Sequence, residues 1–112
     1  MAEGRGVLRG FLFMPQYKHF FKTASERRTK EFAIAIIRLS VKLPSIQEGK
    51  VIKNQITKAG TSIGANYREA NRARSRADFK SRIKICESEA SETQYWLEVI
   101  IGMGWLSRED LK

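Results

Sequence analysis

The chain has 112 residues, of which 42% are hydrophobic and 29% charged, and its formal net charge is +9. This length predicts one domain, and the hydrophobic content suffices for a packed core, which excludes global disorder. The positive charge favours a polyanionic partner, either a nucleic acid or an acidic membrane surface. A single cysteine and a single histidine exclude an internal disulfide framework and a zinc site of the usual spacing, so we expect no metal and no cofactor.

The sequence also bears on location. No stretch reaches the ~18 apolar residues of a membrane span. The apolar run at residues 10–14 follows Arg5 and Arg9, but it is shorter than the roughly 7–15 residues of a signal-peptide core. We therefore expect a cytoplasmic protein with no membrane partner.

Residues 1–24 lack a sustained hydrophobic period and hold three of the eight glycines as well as Pro15. They predict a poorly ordered N-terminal arm, followed by a bundle domain over residues 25–112. Met14 offers an alternative translation start, which would remove the first thirteen residues from the native product.

The first helix is predicted over residues 25–43, with Ser25 as its cap and Pro44 as its stop. A loop over residues 44–49 leads to a second helix over residues 50–73. Both helices show the alternating four- and three-residue spacing of a bundle seam. The seam positions are Phe32, Ile36, Leu39 and Leu43, then Ile52, Ile56, Ala59, Ile63, Asn66 and Ala70.

The third helix is the longest, begins after a Ser75 cap with Asp78 three residues on, and ends at Gly102 and Gly104. Ser107 and Asp110 repeat the capping pattern, but only residues 108–112 remain, so either the chain is truncated or the fourth helix is absent. No strand pattern occurs, and the class is all-α: an up-down antiparallel bundle of three long helices and the start of a fourth. The third seam is Phe79, Ile83, Cys86, Ala90, Thr93, Leu97 and Ile100.

Gly60 and Gly64 lie four residues apart inside the second helix, where each glycine costs about 1 kcal/mol relative to alanine. Close helix packing must offset this cost, as small residues at this spacing allow. Folding the second and third helices back on one another places Gly60 opposite Ala90. The segment lacks the Gly-Lys-Ser/Thr ending of a phosphate loop and follows no strand, which argues against nucleotide binding.

Asn66 occupies a seam position at which an apolar residue would pack better. A single polar residue there can fix register or oligomeric state, and Ser62 and Glu69 are the helical neighbours that could satisfy its amide. The alternative is a ligand-binding polar cluster.

A basic run surrounds the turn between the second and third helices and gives residues 68–84 a charge of +5, from seven basic and two acidic residues. Arginine predominates, which suits bidentate phosphate contact, so we predict a nucleic-acid surface at one end of the bundle. The alternative is a solvated helix end. The basic residues are Arg68, Arg72, Arg74, Arg76, Lys80, Arg82 and Lys84.

Glu89, Glu92, Tyr95 and Trp96 form an acidic and aromatic stretch on the third helix. Catalysis by the two carboxylates would need a further acid or metal ligand that the sequence does not supply. The aromatic residues lie off the main seam and predict a subunit interface. Cys86 lies on the seam, where a packed, inert thiol is expected.

These residues together resemble the four-helix bundle proteins encoded in the intervening sequences of bacterial 23S rRNA, over roughly residues 25–107. The resemblance rests on small and polar residues in fixed order as well as on apolar periodicity. It is carried by Gln55, Ile56, Gly60, Thr61, Ser62, Ile63, Gly64, Ala65, Asn66, Arg68, Glu69, Ala70, Ser75, Asp78, Phe79, Glu89, Glu92, Thr93, Tyr95, Trp96 and Leu97.

The resemblance implies an up-down bundle that assembles into a homopentamer, and it brings no catalytic residues. It also implies a relation to the accessory variability determinants of diversity-generating retroelements, which are basic pentamers that bind nucleic acid. This chain departs from the pattern in its N-terminal arm and in its nearly absent fourth helix, which predicts an open apolar groove.

Two functions follow as hypotheses. The leading one is a non-enzymatic, oligomeric protein that binds RNA or DNA through the basic run. The alternative is a structural or adaptor protein whose open groove accepts a partner protein, without a nucleic-acid role.

Overall fold

The computed structural model describes residues 26–111, which form three long α-helices and a short helical turn. We number the helices α1 (Glu26–Ser40), α2 (Gln47–Asn71) and α3 (Arg76–Gly102), and the turn spans Arg108–Leu111. No strand occurs in this part of the chain, which confirms the all-α class. The predicted N-terminal arm and the predicted Ser25 cap lie outside the described residues.

The seam predicted for α1 is confirmed, because its four apolar residues are all buried. The helix ends at Ser40, three residues before the predicted end. The amide of Lys42 donates to the Leu39 carbonyl at 3.0 Å and that of Leu43 to the Ser40 carbonyl at 3.1 Å. These three-residue steps tighten the chain before Pro44, whose ring disfavours helical geometry in the residue preceding it.

α2 begins three residues earlier than predicted, at Gln47, and ends two residues earlier, at Asn71. Gly49, which was predicted to lie in the loop, is therefore helical, and it is buried. A Cβ at this position would overlap the carbonyl oxygen of Pro44. Glycine is thus required here, because the incoming chain passes close against the first turn of α2.

The predicted ends of α3 are confirmed. The Ser75 hydroxyl accepts a hydrogen bond from the Asp78 amide at 3.1 Å, and Gly104 adopts a left-handed φ of 71° just after the helix. From Cys86 onward the predicted seam is buried. Of the two earlier seam residues, Ile83 is half-buried and Phe79 is 42% exposed.

α2 packs against both α1 and α3, whereas the backbones of α1 and α3 approach each other closely at very few positions. α1 and α2 run antiparallel, because Asn71 hydrogen-bonds Glu26 at one end and Gly49 meets Pro44 at the other. After α3, Leu106 is buried against the core, and Lys42 at the end of α1 contacts Asp110 at 3.4 Å.

The prediction of an open apolar groove is wrong for the seam residues that would line it. Phe32, Ala35 and Leu39 on α1 are at most 4% exposed, and Leu97 and Ile100 on α3 are fully buried. Exposed apolar side chains occur at other positions, among them Ile34 and Ile37 on α1 and Tyr95 on α3. In the described region, no helix combines the length and the apolar character needed to cross a membrane.

Candidate nucleic-acid interface

The turn between α2 and α3, residues 72–75, lies at the centre of the basic run. Six of the seven predicted residues have exposed side chains and one, Arg82, is half-buried. Because these guanidinium and ammonium groups are exposed to solvent, a phosphate can reach them without a rearrangement of the protein.

Two of the seven basic residues pair with acids. Arg68 Nε lies 3.5 Å from a carboxylate oxygen of Glu26, and Arg82 Nε lies 3.8 Å from one of Asp78. All four side chains are substantially exposed, so solvent screens these pairs and each contributes little to stability. The pairs nevertheless offset the charge locally, so Arg68 and Arg82 are the weaker candidates for phosphate contact.

The other five basic residues have no ion-pair partner among residues 26–111: Arg72, Arg74, Arg76, Lys80 and Lys84. The last three are four residues apart in one helix and share a side of α3. Arg82 lies two residues from Lys80 and hence on the other side of α3. The structure therefore divides the predicted site: five cations have no ion-pair partner in residues 26–111, and Arg68 and Arg82 each pair with a carboxylate.

Phe79 is an aromatic residue at this surface, although its spacing predicted a place in the buried seam. It is exposed, and it lies within one helical turn of Arg76 and Lys80. An exposed ring among cations is typical of single-stranded nucleic-acid surfaces, because bases stack on the ring while the cations contact phosphates. The available signal was its position in the first turn of α3, where a seam residue has fewer neighbours.

The two glycines of α2 make close contacts, as predicted, and the atoms nearest to them belong to α1. The atoms nearest to a Cβ at Gly60 belong to Ile36, at 2.8–3.0 Å, and those nearest to one at Gly64 belong to Thr29, from 3.2 Å. Both glycines therefore accommodate α1, and the predicted placement of Gly60 opposite Ala90 of α3 stays a prediction. The small residues let side chains of α1 sink against the backbone of α2.

The polar residues of the same motif are satisfied largely within α2. Asn66 Nδ2 donates to the Ser62 carbonyl at 2.8 Å, and the Ser62 hydroxyl donates to the Lys58 carbonyl at 2.6 Å. The predicted neighbour Ser62 thus serves Asn66 through its backbone, while Glu69 is exposed. Asn66 is half-buried, and its side-chain amide donates a hydrogen bond within its own helix.

The acidic and aromatic stretch forms a connected group on α3. Trp96 Nε1 donates to Glu92 at 3.4 Å, and the Tyr95 and Trp96 rings meet edge-on with centroids 5.0 Å apart. Burial raises the pKa of Glu89, the neighbouring charge of Glu92 raises it further, and Lys58 partly opposes both. Three or more metal-ligating side chains converge nowhere in the described residues.

Cys86 is fully buried, and its thiol lies 3.5 Å from the Ile63 carbonyl. Burial is the largest effect on this thiol and raises its pKa to about 11; a backbone hydrogen bond lowers the pKa, and the nearby Glu87 and Glu89 charges each raise it by less. The thiol is therefore protonated at neutral pH, as a packed and inert cysteine should be.

Fold and surface define a class: a small, all-helical protein with a basic helix–helix turn and a close-packed glycine pair. The family described as 23S rRNA-intervening sequence protein matches residues 22–112, and the chain belongs to that family.

One solved structure supports the same assignment. A crystal structure from Bacteroides thetaiotaomicron VPI-5482, described as a protein with unknown function from the S23 ribosomal protein family, is 44% identical with a TM-score of 0.70. The similarity covers 77% of this chain and 80% of that chain. No curated protein matches this chain significantly.

Proposed function

We propose that this protein is a non-enzymatic, homo-oligomeric nucleic-acid-binding protein that contacts phosphates through the basic residues around the α2–α3 turn. The observation that carries the proposal is the set of five cations without an ion-pair partner in the described chain, defined above. Their charge is not offset locally, so counterions released from a bound nucleic acid would drive association.

Phe79 gives the proposed site a second kind of contact. An exposed ring beside Arg76 and Lys80 can stack on an unpaired base, which a duplex does not offer. The proposal therefore favours single-stranded segments. The family description refers to 23S rRNA, which makes RNA the first ligand to test.

The binding test uses fluorescence anisotropy with a labelled 20-nucleotide single-stranded RNA and with the same sequence as DNA, at several salt concentrations. If the five cations each neutralise one phosphate, log K should fall with log salt with a slope of about −3.5. Absence of binding to both probes at low salt contradicts the proposal.

Variants assign the site. Arg74→Ala/Arg76→Ala should reduce the salt slope by about 1.4, since two phosphate contacts are lost. Lys50→Ala/Lys53→Ala removes the same charge at the opposite end of α2 and should change the slope little. Equal losses in the two variants would show that net charge, and not this surface, governs binding.

Phe79→Ala tests the stacking contact separately from the charge. Loss of one base–aromatic stack should weaken RNA binding by about 1–3 kcal/mol and leave the salt slope unchanged. Unchanged affinity would remove Phe79 from the site without affecting the phosphate contacts.

The absence of enzymatic activity is part of the proposal. It is supported by the protonated, buried state of Cys86, which cannot act as a nucleophile, and by the pairing of Glu92 with Trp96. Incubation of the labelled RNA with the protein and Mg²⁺ should return intact RNA. Cleavage that persists through purification and responds to Glu89→Gln would contradict it.

Three further features are also proposals: a fourth helix that completes an up-down bundle, assembly into a homopentamer, and a cytoplasmic location. Support for a homo-oligomer comes from exposed apolar side chains on the outer helical faces. The same exposure would suit the adaptor alternative, and co-purification of a protein without nucleic acid from native cells would favour that alternative.

A further inference from the structure

α1 carries a second apolar face that the bundle does not bury. Ile34 and Ile37 on α1 and Val41, the residue after its end, are 42%, 42% and 69% exposed, and the Val41 amide still donates to the Ile37 carbonyl at 3.2 Å. Their spacing of three and four residues places them on one side of the helix, opposite to the buried Ile36 and Leu39. A helix that is apolar on two sides is typical of one that is covered on both.

α3 carries the other exposed apolar face of interest. Tyr95 is 57% exposed, and it lies two residues from both Thr93 and Leu97, which are fully buried, so it points away from the core. Its contact with Trp96, and the Trp96–Glu92 hydrogen bond, hold the rings in a fixed arrangement. Rings held in this way lose little conformational freedom when a partner binds.

The two helical segments that carry these faces have opposite net charge. α1 has four basic and two acidic residues, a balance of +2, whereas residues 85–102 of α3 have four glutamates and no basic residue, a balance of −4. Lys30 is exposed and precedes Ile34 by one helical turn, so a cation lies in line with the apolar face of α1. Glu92 lies beside the rings on α3. Complementary charge of this kind selects partners and sets register.

We propose that the outer face of α1 in one copy docks on the acidic and aromatic face of α3 in a second copy. The first face is defined by Lys30, Ile34, Ile37 and Val41, and the second by Glu92, Tyr95, Trp96 and Val99. The inference rests on the homo-oligomer of the proposed function and names the two surfaces that would form it.

The geometry makes this contact head-to-tail. The two faces differ and lie on different helices, so a copy that uses its α1 face still presents its α3 face. Repetition of such a contact yields a closed ring or an open chain, and it cannot yield a symmetric dimer. A second copy always presents the complementary face, whereas Ile34, Ile37 and Val41 offer no hydrogen-bond donor or charge to a phosphate backbone.

The test uses one variant of each face and measures molar mass by light scattering after size-exclusion chromatography. Ile37→Asp places an acid against the acidic face, and Tyr95→Lys places a cation against Lys30. Each variant alone should run as a monomer of 12.9 kDa, while the wild type forms a larger assembly. An equimolar mixture should give a 1:1 dimer of roughly 26 kDa, twice the mass of one chain, because one intact face remains on each partner.

Val51→Asp is the matched control, because Val51 is 47% exposed but lies on α2. It should keep the mass of the wild type, and circular dichroism should show all three variants folded. A monomeric wild type overturns both the homo-oligomer and this inference. A wild-type assembly with unchanged variants, or a mixture that stays monomeric or grows beyond a dimer, overturns only the assignment of faces.

Discussion

Gly60 is where the packing of α1 on α2 leaves least room for a side chain. A Cβ there would lie 2.8 Å from Ile36 Cγ2, 2.9 Å from Cγ1 and 3.0 Å from Cβ. These are the branching atoms of a fully buried side chain, and a β-branched residue in a helix has one strongly preferred rotamer. We therefore expect Gly60→Ala to push α1 and α2 apart.

The magnitude follows from two opposing effects. Overpacking a close-packed core costs about 1–3 kcal/mol, and contact with stiff atoms favours the upper part of that range. Replacing a mid-helix glycine by alanine recovers about 1 kcal/mol of helix propensity. The net loss in the free energy of unfolding should be about 1–2 kcal/mol, which lowers Tm by roughly 5–15 °C in a domain of this size.

Urea titration followed by far-ultraviolet circular dichroism, at one protein concentration, measures the effect. Gly102→Ala is the control, because no heavy atom lies within 4 Å of its Cβ position, and it should not be destabilising. Gly64→Ala should fall between the two, since its nearest neighbour, Thr29 Oγ1, is 3.2 Å away. Gly60→Ala as stable as Gly102→Ala would refute the steric argument.

A double-mutant comparison tests the partner residue. Ile36→Ala removes both Cγ atoms and alone should cost about 2–5 kcal/mol, because it opens a cavity. In the Gly60→Ala background the same change should cost less, since it also relieves the overlap. Equal costs in the two backgrounds would mean that Ile36 is not what limits the space.

Three further predictions concern titratable groups. The pKa of Glu89 is raised in the fold, so its contribution to stability is present at low pH and is lost as pH rises through that pKa. Glu89→Gln should therefore be more stable than the wild type at pH 7. Urea titrations should give the two proteins the same free energy of unfolding as pH falls below about 4. The pKa of Asp110 is lowered, chiefly by hydrogen bonds from the Ser107 amide and hydroxyl, so the helical turn should loosen as pH falls through that pKa. Asp110→Ala should speed hydrogen exchange of the Ser107 amide at pH 7. Unchanged exchange would contradict this. Iodoacetamide at pH 8 should label Cys86 far more slowly in the folded protein than in urea, and equal rates would show that the thiol is accessible.

The seams were predictable because each helix alternates apolar and polar residues around its own axis. Phe32 and Ile36 on α1, and Cys86 and Leu97 on α3, are buried as their spacing indicates. The Ser75 cap was predictable for the same local reason, since it depends on a residue three positions away. Local chemistry therefore accounts for the elements and their buried faces.

The sequence did not predict which neighbouring helix packs on each buried face. α2 contacts helices on two sides, and the spacing of Gly60 and Gly64 does not say whether α1 or α3 lies over them. The outer face of α1 was missed because the buried seam accounts for only some of the apolar residues of this helix. The sequence gives no partner for the others, Ile34 and Ile37. Phe79 was misassigned because periodicity does not report how far a neighbouring helix extends.

For the basic site, the sequence predicted the exposed charge. It did not predict which basic residues pair with acids and which do not. Helical spacing places Arg76, Lys80 and Lys84 on one side, but the pairing of Arg68 with Glu26 joins residues 42 positions apart. Such a pair depends on how α1 docks, which is a tertiary property. The nucleic-acid contact itself stays a prediction.

The position of α2 between its two sequence neighbours has a consequence for folding. Each helix packs mainly on the next one along the chain, through connections of only a few residues, so most native contacts are close in sequence. Chains with such low contact order fold on the order of microseconds to milliseconds. The α1–α2 and α2–α3 hairpins share one helix, so either can form first and serve as the surface on which the remaining helix condenses.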